Sequence, residues 1–139
     1  MHPRFRFGVA WAVVLLISGL LVGCTQSKGP KPLEVSGTVT FQGSPVTEGK
    51  VTFEDPKTGF SGAADLTPES QFRLTVPVGQ YKVTITPPMV EVGGTPDTPG
   101  EMTFKEVKNI PRKYWTANTT PLECSVTKAG ETVTFDLVP

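Results

Sequence analysis

An all-β fold is predicted for this chain: an antiparallel β-sandwich of about seven strands, preceded by a signal-peptide helix. Three observations carry the prediction. From Glu34 onward apolar residues alternate with polar ones at period two, as in half-buried strands. Gly, Pro and Asp clusters interrupt that alternation at short intervals, as in sandwiches. No segment of useful length after residue 23 has helical periodicity.

The first segment is a secretory signal. Arg4 and Arg6 form a charged start, Gly8 through Val22 an apolar run, and Gly23 the small residue before a cut. The run is shorter than the ~20 residues that a membrane-crossing helix needs. Leu21-Val22-Gly23-Cys24 resembles a bacterial lipobox. That resemblance implies cleavage between Gly23 and Cys24 and lipidation of Cys24, hence membrane attachment in the cell envelope, facing the periplasm or the cell exterior. One acyl chain holds a protein only marginally, whereas several on one residue hold it firmly.

The expected organisation is therefore a signal peptide over 1–23, a lipidated Cys24 with a tether over 24–33, and a sandwich over 34–139. The tether is polar, carries Gly29, Pro30 and Pro32, and lacks periodicity. Val35, Gly37, Val39 and Phe41 line one face of the first strand. After the Gly43-Ser44-Pro45 turn, Val51 and Phe53 point inward from a second strand at 49–54, and a weaker third covers 60–66. Phe72, Leu74 and Val76 alternate in a fourth strand that Pro77 breaks. Tyr81, Val83 and Ile85 point inward from a fifth, with Lys82, Thr84 and Thr86 outward. Pro87-Pro88 ends it. Residues 88–109 form one long loop, rich in Gly and Pro, with a short edge strand at Met102-Thr103-Phe104; loops beyond about 15 residues are uncommon and usually functional or disordered. Ile110 to Trp115 makes a helical turn. Two last strands, 122–127 and 131–137, carry Leu122, Cys124, Val126, Val133, Phe135 and Leu137 inward.

Composition narrows the function. Loss of Arg4 and Arg6 from the 13 basic residues leaves the mature chain with two more acids than bases, scattered in both signs. That is no footprint for nucleic acid. Of the two cysteines Cys24 is taken by lipid, so Cys124 has no intramolecular partner and its parity places it in the core as a small hydrophobe. The one histidine, His2, belongs to the signal. A mature chain without histidine cannot run Ser-His-Asp or Cys-His catalysis and lacks the commonest transition-metal ligand. No enzymatic activity, metal or cofactor is expected.

Val35-x-Gly37-x-Val39, the turn with Pro45, Gly49-x-Val51-x-Phe53, and the strand pair from Gln71 to Tyr81 resemble a carboxypeptidase regulatory-like domain. The resemblance implies a prealbumin-like (transthyretin-like) sandwich, related in architecture to immunoglobulin domains. Together with the lipobox and Ile110-Pro111-x-Lys113-Tyr114, the arrangement is similar to small predicted lipoproteins of planctomycete bacteria. In metallocarboxypeptidases the regulatory-like domain is non-catalytic. Transthyretin-like hydrolases rely on histidines and a Tyr-Arg-Gly-Ser ending, and this chain ends Asp136-Leu137-Val138-Pro139. The resemblance implies a fold and no reaction.

Arg112, Tyr114 and Trp115 form the expected binding patch, since aromatics and Arg dominate binding hot spots and flat rings stack on sugars and peptides. The alternative is that these rings cap the open end of the sandwich beneath the 88–109 loop. Glu54, Asp55, Asp65 and Glu69 flank turns without calcium-loop spacing and read as solvated carboxylates. The leading expectation is a non-enzymatic interaction or structural module, its partner an envelope protein or glycan. The alternative is a carbohydrate- or peptide-binding module using Tyr114 and Trp115.

Overall fold

The computed structural model describes residues 29–139; the signal segment, Gly23 and Cys24 lie outside them. In chain order the strands are β1 (Leu33–Phe41), β2 (Ser44–Pro45), β3 (Lys50–Glu54), β4 (Ser61–Asp65), β5 (Gln71–Val76), β6 (Gly79–Thr86), β7 (Met89–Val92), β8 (Glu101–Phe104), β9 (Glu123–Val126) and β10 (Glu131–Leu137). A short 3-10 turn, Arg112–Tyr114, falls between β8 and β9. The fold is an all-β sandwich. Its two sheets are built from β1, β3, β4, β5, β6, β9 and β10, with β2 a two-residue addition and β7–β8 a separate hairpin.

β1 is central in one sheet, with β10 on one side and β5 and β2 sharing the other. The second sheet runs β4-β3-β6-β9, antiparallel throughout. One pairing departs from the antiparallel expectation: β10 lies parallel to β1, from Val35 opposite Glu131 to Phe41 opposite Leu137. The Thr127–Gly130 connection takes the chain from β9 in one sheet to β10 in the other, where it runs alongside β1. Side-chain alternation has period two in either direction, so the sequence pattern does not distinguish the two pairings.

The inward set is close to that read from alternation. Val35, Val39, Val51, Phe53, Phe72, Leu74, Val76, Tyr81, Val83, Ile85, Cys124, Val126, Phe135 and Leu137 are buried. Phe41, Leu122 and Val133 are only partly covered, and Thr84, expected outward, is buried. Phe53 is the hub of the aromatic core, with ring centroids 6.0 Å from Phe72, 5.9 Å from Tyr81 and 6.1 Å from Phe135. The Tyr81 hydroxyl donates to the Pro77 carbonyl at 2.7 Å, so the buried ring keeps a partner for its polar end. At Gly37 the chain needs the absence of a side chain. A β-carbon there would meet the Val133 carbonyl oxygen and, at 2.8 Å, the Phe72 ring. The buried side chains lie between Val35 and Leu137, so this domain carries its own core.

Strand polarity gives the sandwich two ends. β1 starts at Leu33 opposite Val76, and β6 starts at Gly79 opposite Val126, so the 77–78 and 127–130 turns share the tether's end. Phe41, Leu137, Lys50 and Thr86 lie at the other end, and the β7–β8 hairpin leaves from there.

Residues 88–109 are thus not one irregular loop. Met89 pairs with Phe104 and Val92 with Glu101, and the tip closes through reciprocal Thr95–Thr98 backbone bonds of 2.9 and 3.2 Å. The sequence predicts an edge strand at Met102–Phe104, where β8 lies, and none at Met89–Val92. A strand exposed on both faces has no buried side, and so no alternation to betray it.

Candidate functional site: the distal hairpin and its aromatic base

Every residue of β7 and β8 is exposed. Met89, Val90, Val92, Met102 and Phe104 keep between 36% and 54% of their accessible surface. The register puts Met89, Glu91, Met102 and Phe104 on one face, and Val90, Val92, Glu101 and Thr103 on the other. Apolar side chains therefore meet solvent on both faces. Contiguous apolar exposure marks interaction surfaces, whereas single exposed residues carry no such meaning.

Three contacts hold the hairpin at its base. The Lys105 backbone N–H donates to the Pro88 carbonyl at 2.8 Å. The Lys105 ammonium bonds the Glu48 carboxylate at 2.8 and 3.0 Å. The Phe104 ring lies 5.1 Å from Trp115, tilted by 58°. Trp115 is held in turn: its indole N–H donates to the Ile110 carbonyl at 3.0 Å, and the Arg112 guanidinium sits 5.3 Å from its ring centroid.

The structure separates the expected patch residues. Arg112 is exposed and Trp115 is half-buried against the core. Tyr114 is 1% exposed, and its hydroxyl accepts the Val138 N–H at 2.9 Å and lies 3.2 Å from the Val138 carbonyl. Its ring closes the end of the sandwich with Ile110, so it offers no face to a ligand. The turn at Arg112–Tyr114 sends successive side chains in different directions, which separates neighbours in sequence. What replaces Tyr114 at the surface is Phe104, from the hairpin.

Two concavities flank this base. One, of about 660 Å³, is lined on its apolar side by Leu66, Pro68, Pro87, Pro88, Met89 and Phe104. The other, of about 300 Å³, is lined by Glu106, Val107, Lys108, Ile110, Pro111, Arg112 and Trp115. Both open to solvent at the end of the sandwich away from the tether.

Of the remaining carboxylates some serve turns and others form surface ion pairs, such as Glu34 with Arg73 and Glu123 with Lys82. Glu54 and Asp65 lie at opposite ends of the β3–β4 pairing, so the four acids weighed as ligands do not gather. Among the described residues no group of three or more His, Cys, Asp or Glu is placed to hold a metal. Asp55 is held below its usual carboxylate value by the Lys57 backbone N–H at 2.8 Å and by Thr58. Asp136 is lowered by the Gly43 N–H at 2.9 Å and the Thr40 hydroxyl at 2.7 Å. Glu131 is lowered by the Thr127 hydroxyl at 2.7 Å and the Thr127 and Lys128 N–H groups, both at 3.0 Å. Burial, with Glu131 nearby, pushes the Cys124 thiol up. A raised thiol pKa disfavours the reactive thiolate.

No family model, curated protein or solved structure matches this chain.

Proposed function

We propose that the chain is a lipid-anchored envelope protein whose sandwich is a non-enzymatic interaction module, presenting the β7–β8 hairpin and the Phe104–Trp115 base to a partner. The observation that carries it is the apolar exposure of β7 and β8 on both faces. A two-stranded hairpin is marginal alone, and ordering one without burial in the domain is useful only if something else covers it. Anchorage through Cys24 rests on Leu21-Val22-Gly23-Cys24 and its likeness to a lipobox. The likeness to carboxypeptidase regulatory-like lipoproteins, and the absence of histidine after His2, support a module without chemistry of its own. The carbohydrate- or peptide-binding alternative is narrowed by the burial of Tyr114, since Trp115 and Arg112 alone remain at the surface of that patch.

Two experiments test the reading. Replacing Cys24 with Ser is expected to abolish lipid labelling and leave an unprocessed precursor; normal maturation overturns the anchor. The soluble domain, residues 25–139, is then used as bait in detergent-solubilised envelope beside a Met89→Ser/Met102→Ser version. Loss of a specific partner with the double variant supports the hairpin as the contact. Equal capture by both moves the contact elsewhere.

A further inference from the structure

The hairpin and the segment after it carry opposite charge. Between Met89 and Phe104 the charged residues are Glu91, Asp97 and Glu101, all acidic. Between Lys105 and Lys113 the charged residues are Lys105, Glu106, Lys108, Arg112 and Lys113, a net positive run. These neighbours in sequence do not neutralise one another within the chain. Lys105 pairs with Glu48 at 2.8 Å and Arg112 with Glu106 at 3.5 Å. Among the described residues none of the three hairpin acids forms an ion pair. Glu91 is spent locally, accepting the Gly100 N–H. Glu101 stands exposed opposite Val92 and next to Met102, Asp97 is exposed at the tip between Thr95 and Thr98, and Lys108 and Arg112 stand exposed beside Trp115.

Each copy thus has one projecting apolar surface with acids and one apolar hollow of net positive charge, where Lys108 and Arg112 stand against the single carboxylate of Glu106. The hollow is the roughly 300 Å³ concavity lined by Val107, Ile110, Pro111 and Trp115. The two lie side by side at the end away from the tether, joined where Phe104 meets Trp115, and no residue of β7 or β8 lines the hollow. A twofold-related copy satisfies both at once, because an isologous contact pairs surface one with surface two reciprocally. Resting on the interaction-module reading, we infer that the partner of the hairpin is a second copy of this chain. The acidic hairpin of each protomer seats against the Lys108–Arg112–Trp115 hollow of the other. The acids disfavour an anionic lipid surface as the occupant, since such surfaces attract cationic segments. Tethering to one membrane raises the effective concentration of two copies, so a weak contact in solution is sufficient there.

The test is sedimentation velocity on residues 25–139, which carry the whole described core. The unmodified domain is expected to show a monomer–dimer equilibrium that weakens with added salt. Asp97→Lys/Glu101→Lys and Lys108→Glu/Arg112→Glu are each expected to weaken self-association by about tenfold or more, through like-charge juxtaposition. In a dimer of one variant with the other, one contact pairs the two reversed surfaces and the second pairs the two unaltered ones, so both are attractive and association is expected to recover on mixing. Circular dichroism of each variant checks the fold, and recovery on mixing excludes misfolding as the cause of the loss. A wild-type domain that remains monomeric up to about 1 mM overturns the inference. So does a mixture that fails to recover. If the domain is monomeric but still loses an envelope partner with Met89→Ser/Met102→Ser, self-docking fails and the interaction-module reading stands. If neither association is seen, both fail.

Discussion

The Tyr114 hydroxyl bonds the backbone of Val138 on both its polar groups, 2.9 Å from the N–H and 3.2 Å from the carbonyl. This contact ties the 3-10 turn to the residue after β10, so the base of the hairpin and the chain end are held as one. Tyr114→Phe keeps the buried ring and removes both bonds. It is expected to cost about 1 kcal/mol, read as a melting point lower by several degrees, with the fold retained. An unchanged melting point removes Tyr114 from the account of how this end is closed.

Phe104 against Trp115 makes the indole a reporter of the hairpin. In residues 25–139 Trp115 is the one tryptophan. Phe104→Ala uncovers one side of a ring that is otherwise half-buried. Its emission is expected to move to longer wavelength and its quenching by acrylamide to rise. If both stay at wild-type values, the hairpin does not cover Trp115 in solution.

Gly37 faces the Val133 carbonyl and the Phe72 ring across the β1–β10 and β1–β5 pairings. A methyl group there must push β10 away or displace Phe72 from its stack with Phe135. Gly37→Ala is expected to destabilise the domain by about 1–3 kcal/mol, measured by urea denaturation. Equal stability of the two proteins contradicts the close approach.

Acid should weaken the domain. The carboxyls of Asp55, Glu131 and Asp136 have folded-state values below their ordinary ones, chiefly because backbone N–H and hydroxyl groups bond the charged forms. Such groups contribute stability that is fully present above the unfolded value, about 4, and is lost as pH falls through the lower folded value. The urea midpoint is expected to hold between pH 5 and 7 and to drop below about pH 4. Asp136→Asn is expected to flatten part of that drop; a profile identical to wild type removes Asp136 from it.

Cys124 is 6% exposed and its thiol pKa is raised, first by burial and then by Glu131. In residues 25–139 it is the one thiol. Reaction with a thiol reagent at pH 8 is expected to be slow in buffer and fast in urea. Immediate labelling of the folded domain places Cys124 outside the core.

Alternation by itself determined most of the sandwich. The inward faces of β3, β5, β6 and β9 follow directly from Val51 and Phe53, Phe72 to Val76, Tyr81 to Ile85, and Cys124 and Val126, because one buried and one wet face impose period two. The absence of histidine after His2 and the lipobox-like segment are likewise properties of composition and local spacing, and need no coordinates.

Only the tertiary structure decided the rest. The direction of β10 beside β1 is invisible to a pattern that reads the same both ways. The hairpin strand Met89–Val92 leaves no trace in burial because neither face is covered. Tyr114 and Trp115 are adjacent in sequence, yet one is sealed in the core and the other borders a surface hollow. Sequence chemistry assigns both rings the same capacity for contact; which ring reaches solvent depends on the strands and chain end packed around the turn, and those are distant in sequence.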